Sequence, residues 1–271
     1  MQSNGLRQVD EALKKMAARL SATSLHSLMH EPERSQFIYQ FEDLTVDCTR
    51  QLLDEDSSNA LLHLAENCQL QTRIDEMFSG ALVNITEHKP AQHMAARTPD
   101  HLASVAYQKL STFANSVRRN PNITTVVNLG IGGSDLGPKM VTQALAGFHD
   151  GPVCHFVGNI CPTDLHDVLV TCDPHKTLFI VTSKTFTTTE TIANAMMAKH
   201  WLNRHGVDAG PAMVAVTAAE TRAQAWGIHP DHIFAFADGI GGRYSVWSSV
   251  GLSVMIAIGS ENFSRMLAGA Y

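Results

Sequence analysis

The sequence has no run of lysines or arginines, and its formal net charge is −6. A general nucleic-acid binder is usually basic, which argues against that class. It has no C-x-x-C pair. Its five cysteines, Cys48, Cys68, Cys154, Cys161 and Cys172, are scattered and odd in number. Reduced thiols in a cytosolic protein are the simplest reading of that pattern. It also lacks an apolar run long enough for a bilayer. The longest, Val250 to Ile258, is interrupted by Gly251 and Ser253 and falls far short of the roughly 20 residues a membrane helix needs. Met1 to Leu20 is polar and charged, so it is not expected to act as a signal peptide. The 14 histidines form no H-E-x-x-H and no His/Cys cluster. His26 and His30, four apart, therefore read as ordinary surface or core histidines, and no metal is expected. No short-period repeat and no low-complexity tract is present.

What remains is a globular composition, 44% apolar and 17% charged, over 271 residues. That length can bury a large core in one or two domains. Up to about residue 116 the pattern is helical. Leu6, Val9, Leu13, Met16, Ala17 and Leu20 form a helix-period stripe, as do Leu61, Leu64, Ala65, Cys68, Ile74 and Met77, and Leu102 to Val117 is a third such stretch. Glu31-Pro32, the polar run Asp54 to Asn59 and Thr98-Pro99-Asp100 mark the loops between them. From Asn120 onward β-rich runs alternate with amphipathic segments. The runs are Thr124–Leu129, Val153–Val157, Thr177–Thr182, Ala212–Val216 and Ile233–Phe236. This spacing predicts an α/β fold, a doubly wound parallel five-stranded sheet flanked by helices and preceded by a helical region over 1–116.

Three stretches carry candidate chemistry. The first runs from Asn128 through Gly130, Gly132, Gly133, Ser134, Asp135 and Gly137 to Pro138, between a strand and a helix expected near Pro138. Its glycines allow close backbone approach, and amides at a helix start favour an anion. It is not a dinucleotide fingerprint, because the third glycine would fall at Asp135, and it is not a P-loop, because Pro138-Lys139-Met140 lacks the Lys-Ser/Thr ending. Anion or sugar binding and a merely tight strand–helix turn both remain open here. The second stretch is Ser183-Lys184-Thr185-Phe186-Thr187-Thr188-Thr189-Glu190-Thr191, at the end of the run Thr177–Thr182. A capping box with Thr187 as N-cap and Glu190 three residues later accounts for two of these residues. It leaves the other clustered hydroxyls and the lysine unexplained, and hydroxyls, free amides and an ammonium at a helix start make a phosphate cradle. In the third stretch, Gly241-Gly242-Arg243-Tyr244-Ser245-Val246-Trp247-Ser248, two glycines precede an arginine. The guanidinium is either an oxyanion stabiliser or a surface charge paired with a carboxylate. In the strand order 2-1-3-4-5 the first and third strands are neighbours, so the first two loops would face one crevice at the switch point.

Taken together, the three stretches resemble glucose-6-phosphate isomerases (the phosphoglucose isomerase family) over nearly the whole chain. Met77 to Gly80 and Asn84-Ile85-Thr86-Glu87 are similar to the family's N-terminal region. The resemblance implies sugar-isomerase (SIS) domains, the first over 117–271, with the region 1–116 packing on a second. It implies interconversion of glucose 6-phosphate and fructose 6-phosphate in glycolysis and gluconeogenesis, with no cofactor, in a cytoplasmic homodimer. Among site residues it implies phosphate binding by the Ser183, Lys184, Thr185, Phe186, Thr187 and Thr188 loop, a sugar site lined by Gly133, Ser134 and Asp135 with Gly242 beside it, and stabilisation of an enediolate by Arg243. Departures at Asn159 to Thr163, Phe236 to Gly239, Pro90 and Ala96-Arg97-Thr98 flank these motifs. Family members run about as many residues again beyond Tyr271, and that half holds the glutamate base, the ring-opening histidine and a lysine. The expectation is therefore an isomerase fragment, inactive alone. A non-catalytic sugar-phosphate-binding regulatory module of the same fold is the alternative, and the Arg243 motif favours the isomerase. A dinucleotide-dependent oxidoreductase is argued against by Asp135.

Overall fold

The structure, a computed structural model, describes residues 4–271. Residues 1–3, the start of the stretch weighed as a signal peptide, lie outside the described residues, and so do the side chains of residues 4–8, Leu6 among them. The chain divides into two compact units, Met1–Ser79 and Gly80–Tyr271.

In the first unit, α1 (Asn4–Ser21) and α2 (Leu25–Met29) precede a hairpin of β1 (Ile38–Phe41) and β2 (Leu44–Asp47), followed by α3 (Glu55–Asn67) and α4 (Leu70–Phe78). The hairpin lies within a region expected to be helical, and its Ile38, Tyr39, Phe41, Leu44 and Val46 are all exposed. The start of α3 is a capping box. Asp54 Oδ1 accepts the Ser57 amide at 3.0 Å, and Ser57 Oγ accepts the Asp54 amide at 2.9 Å. The helical stretch from Ala60 to Met77 is two helices because Gln69 turns left-handed, at φ 52°. Arg34 is buried, and its guanidinium donates to the carbonyls of Thr49, Gln51 and Leu53, pinning the chain that leaves the hairpin.

The second unit opens with α5 (Pro99–Ala103) and α6 (Val105–Arg119) and continues as alternating strands and helices. These are β3 (Thr125–Leu129), α7 (Leu136–Ala144), β4 (Val153–Val157), α8 (Pro162–Leu169), β5 (Thr177–Thr182), α9 (Thr189–Arg204), α10 (Ala209–Ala212), β6 (Met213–Thr217), α11 (Glu220–Trp226), β7 (Ile233–Ala235), α12 (Leu252–Ile258) and α13 (Ser260–Ala270). The five strands are parallel in the order β4-β3-β5-β6-β7. That is the expected doubly wound order.

Period-two alternation sends neighbouring residues to opposite faces. Val126, Leu178, Ile180, Val214, Val216 and Phe234 join a core with α6, α7, α12 and α13. Val127, Leu129, Phe179, Val181, Met213 and Ala215 join the other core with α8, α9 and α11. Burying a side chain such as Phe179 or Ile180 contributes roughly 1.5–3 kcal/mol. The change of texture read at residue 116 does not coincide with the division at Ser79. Residues 80–116 belong with the sheet because α6 buries Tyr107, Leu110, Ala114 and Val117 in its core.

Candidate functional site

β3 and β5 are direct neighbours, and the chain leaves them toward opposite edges of the sheet. A crevice at their carboxyl ends follows from this topology. β3 leads into Gly130 to Asp135, which closes on itself through Ser134 N–H to Ile131 O and Asp135 N–H to Gly132 O, both 3.1 Å. Gly132 sits at φ +59°, a left-handed position that favours glycine. α7 then begins at Leu136, two residues before Pro138.

β5 leads into the hydroxyl-rich loop. Ser183 is buried and its amide donates to Val216 O, continuing the sheet one residue further. Ser183 Oγ and Thr188 Oγ1 are 3.0 Å apart, and Thr187 Oγ1 donates to Thr185 Oγ1 at 2.8 Å. Phe186, at φ 52°, turns inward to stand edge-on to Trp226, leaving Thr185 and Thr187 exposed. The Lys184 carbonyl accepts from Ala218 N–H and the Thr217 hydroxyl. This loop is therefore fastened by its backbone and leaves part of its polar surface outward.

The capping box read over Thr187 to Glu190 is not formed. The N-cap of α9 is Thr188, and its side chain makes no cap hydrogen bond. The hydroxyl lies against Ser183 instead. Glu190 is consequently the second residue of α9, half-buried, where a carboxylate complements the helix dipole.

The third loop comes back from the far edge strand β7 to meet the first. A Cβ on Gly133 would lie 2.0 Å from Gly242 O, so the two backbones touch. Ser245 Oγ adds a hydrogen bond to Gly242 O at 2.7 Å and one to Gly133 O at 3.3 Å. Beside this contact is a cavity of about 420 Å³ lined by Lys184, Gly241, Gly242, Tyr244, Asp238, Glu87, Asn84 and His93, among others. Lys184 Nζ lies 3.4 Å from Asp238 Oδ1 and 3.7 Å from Glu87 Oε2, while Lys89 Nζ holds Asp238 Oδ2 at 2.6 Å. The Lys89 hydrogen bond, helped by the Lys184 charge, holds the Asp238 carboxyl below the usual carboxylate range. His93 stacks on Tyr244 with ring centroids 4.5 Å apart, and burial pushes its imidazole below the ordinary histidine range.

Of the site residues read from the sequence, Lys184 and Gly242 line this cavity, while Gly133, Ser134, Asp135, Ser183, Thr185 to Thr188 and Arg243 lie outside its lining. Arg243 is exposed, with its guanidinium 4.9 Å from the Tyr244 ring centroid, and among the described residues no carboxylate pairs with it. Asp135 is only 6% exposed, and its carboxyl fills the space where a Cβ on Gly158 would go. Desolvation raises its pKa, with Asp164 adding to the effect. The folded state thus binds a proton more tightly there than the unfolded chain does. Its contribution to stability is full below the unfolded pKa and is lost as pH rises through the folded pKa. Asp135→Asn is expected to raise the urea midpoint at pH 7 and to leave it nearly unchanged near pH 3.5. A lower midpoint at pH 7 would show that the buried charge is stabilising.

Glu87, Lys89, Asp238, His93 and Tyr244 were not read as site residues. Asn84 to Glu87 and Asp238-Gly239 were visible as motifs, but nothing local showed that they meet Lys184. Their sequence separation from it leaves that pairing to tertiary structure.

An open, doubly wound α/β sheet with three loops meeting at the carboxyl ends of its strands is the class of fold in which ligands generally bind at that edge. A sequence model of the phosphoglucose isomerase family matches residues 47–271, and the chain belongs to that family. It is 40% identical to a glucose-6-phosphate isomerase of Roseobacter denitrificans, over 96% of this chain and 51% of that protein. It is 43% identical to one of Xanthobacter autotrophicus, over 90% of this chain and 48% of that protein. The crystal structure of a glucose-6-phosphate isomerase from Chlamydia trachomatis superposes with a TM-score of 0.83 at 28% identity, covering 97% of this chain and 54% of that one. The chain spans about half the length of the curated relatives it matches.

Proposed function

We propose that this chain is the phosphate- and sugar-binding half of a glucose-6-phosphate isomerase, which interconverts glucose 6-phosphate and fructose 6-phosphate through an enediolate. The observation that carries the reading is a lysine lining a glycine-backed cavity, followed directly in the chain by the exposed Thr185 and Thr187 and the start of a 16-residue helix. In this reading Ser183, Lys184, Thr185 and Thr188 grip the phosphate, in a turn closed by the Phe186 amide on Ser183 O at 3.2 Å. Without ligand, Lys184 is held by Asp238 and Glu87; with it, the ammonium exchanges those carboxylates for a dianion. Gly133 and Gly242, pressed backbone to backbone, leave room for a sugar to approach. Ser134 and Asp135 belong to the same turn, with Asp135 acting from beneath it because its carboxyl is buried. Arg243, exposed and without a carboxylate partner among the described residues, is placed in this reading to stabilise charge on an enediolate.

The base that moves the proton is not among these groups, and in this reading it comes from the second half that longer relatives carry. The parent would be a homodimer in the cytoplasm, in keeping with the five free thiols. The N-terminal region would pack on the second sugar-isomerase domain, which accounts for exposed apolar side chains such as Phe41, Leu44, Leu62 and Phe78.

Lys184→Ala tests the phosphate grip. A charge-assisted hydrogen bond contributes about 1.5–3 kcal/mol, so affinity for glucose 6-phosphate should fall about 10- to 100-fold. Binding of neutral glucose should be nearly unaffected. Equal loss for both ligands in a calorimetric titration would sink the assignment.

A further inference from the structure

β3 carries a polar residue where a central strand ordinarily has an apolar one. Asn128 is 0% exposed and sits between Val127 and Leu129, which are also fully buried. Leaving such an amide without partners is costly, so its partners indicate why it is tolerated. Its Nδ2 donates to Ser134 O at 2.9 Å, and its Oδ1 accepts from Thr182 Oγ1 at 3.0 Å. Thr182 is likewise 0% exposed and immediately precedes Ser183. The backbone ladder already pairs Asn128 with Ile180 and Leu129 with Val181. The side-chain link adds a cross-strand contact at Thr182, one residue past the paired register. It reaches past the ladder to the two loops, fastening the Ser134 carbonyl on one side and the residue before the hydroxyl-rich loop on the other.

We propose that Asn128, with Thr182, is a positioning residue pair that holds the glycine loop in register with the hydroxyl-rich loop. The proposal rests on the functional reading above for what the loops bind, and on the hydrogen bonds alone for the coupling. The glycine loop is otherwise braced through Ser134 N–H to Ile131 O, Asp135 N–H to Gly132 O, Gly130 N–H to Val157 O on β4 at 3.3 Å and the contact of Ser245 with Gly133 O at 3.3 Å. Asn128 is the link that ties it across to β5. Losing this link frees the sugar side of the site while the backbone-fastened phosphate side stays in place.

The test compares the whole chain with Thr182→Val, Thr182→Ser and Asn128→Leu. Two readouts are taken: amide hydrogen exchange over residues 130–137, and titration with glucose 6-phosphate and with inorganic phosphate. In Thr182→Val and Asn128→Leu, exchange in that loop should rise about tenfold, corresponding to one lost hydrogen bond. The advantage of glucose 6-phosphate over inorganic phosphate should shrink by about the same factor. Thr182→Ser keeps the hydroxyl and should stay within about twofold of the parent on both counts. Unchanged exchange in the loop would overturn the proposal, and so would a uniform rise across the sheet or an equal loss of both ligands. If Asn128→Leu does not fold, the two Thr182 variants decide. If the unaltered chain binds neither ligand, the phosphate reading fails, and the exchange data still decide whether Asn128 couples the loops.

Discussion

Purified chain is expected to convert no measurable fructose 6-phosphate in a coupled assay freed of host isomerase. Aldose–ketose exchange moves a proton between adjacent carbons, and a positioned general base contributes about 10²–10⁴-fold to such a step. Arg243 cannot serve, because a guanidinium stays protonated. The cavity's own carboxylates are Glu87 and Asp238, and both lie against Lys184. The Asp238 carboxyl is held below the usual range by Lys89 and Lys184, which makes it a weaker base still. Glu190 lies half-buried in the first turn of α9, where a carboxylate complements the helix dipole. Turnover that persists in the purified chain and disappears in Glu190→Gln, Glu87→Gln or Asp238→Asn would locate a base within this half.

Gly133→Ala should be the most damaging single methyl in the site. The added carbon would meet Gly242 O at 2.0 Å and Gly242 C at 2.3 Å, both backbone atoms that cannot rotate away. One of the two loops must move, at a cost of about 1–3 kcal/mol, the usual range for overpacking. Sugar-phosphate binding should be lost with it, because the displaced loop also carries Ser134. Thermal unfolding and titration of the variant measure both effects. Gly132→Ala is the contrasting case. Its Cβ meets nothing within 4 Å, so only the left-handed φ opposes it. Equal losses at the two positions would mean that backbone strain, and not the close approach, governs this turn.

Strand content and order were legible in the sequence because each strand carries its own local signal. Val153–Val157 and Thr177–Thr182 match the structure residue for residue, β3 and β7 differ by one residue at one end, and β6 is shifted by one at both ends. Loop length and right-handed crossover then leave few ways to assemble five parallel strands. The hairpin Ile38–Phe41 and Leu44–Asp47 was missed because its side chains face outward and form no buried face. The break at Gln69 was missed because the apolar spacing runs through it, while the left-handed φ belongs to a residue type that gives little warning. The cap of α9 was placed one residue early because Thr187 and Thr188 are chemically equivalent as caps. Only the approach of Ser183 assigns the hydroxyl of Thr188 elsewhere.

By itself, the sequence determined the α/β class, the strand order and the three loops that carry glycines, hydroxyls and charges. These depend on short-range periodicity, turn chemistry and chain connectivity. Only the tertiary structure decided which charges meet. Lys184 is held by Glu87 and Asp238, Asn128 spans from Ser134 to Thr182, Gly133 abuts Gly242, and Asp135 is turned beneath Gly158. Each of these contacts depends on where a loop ends in space to within about an ångström. That position is set by packing of whole helices on the sheet, and no local pattern of residues encodes it.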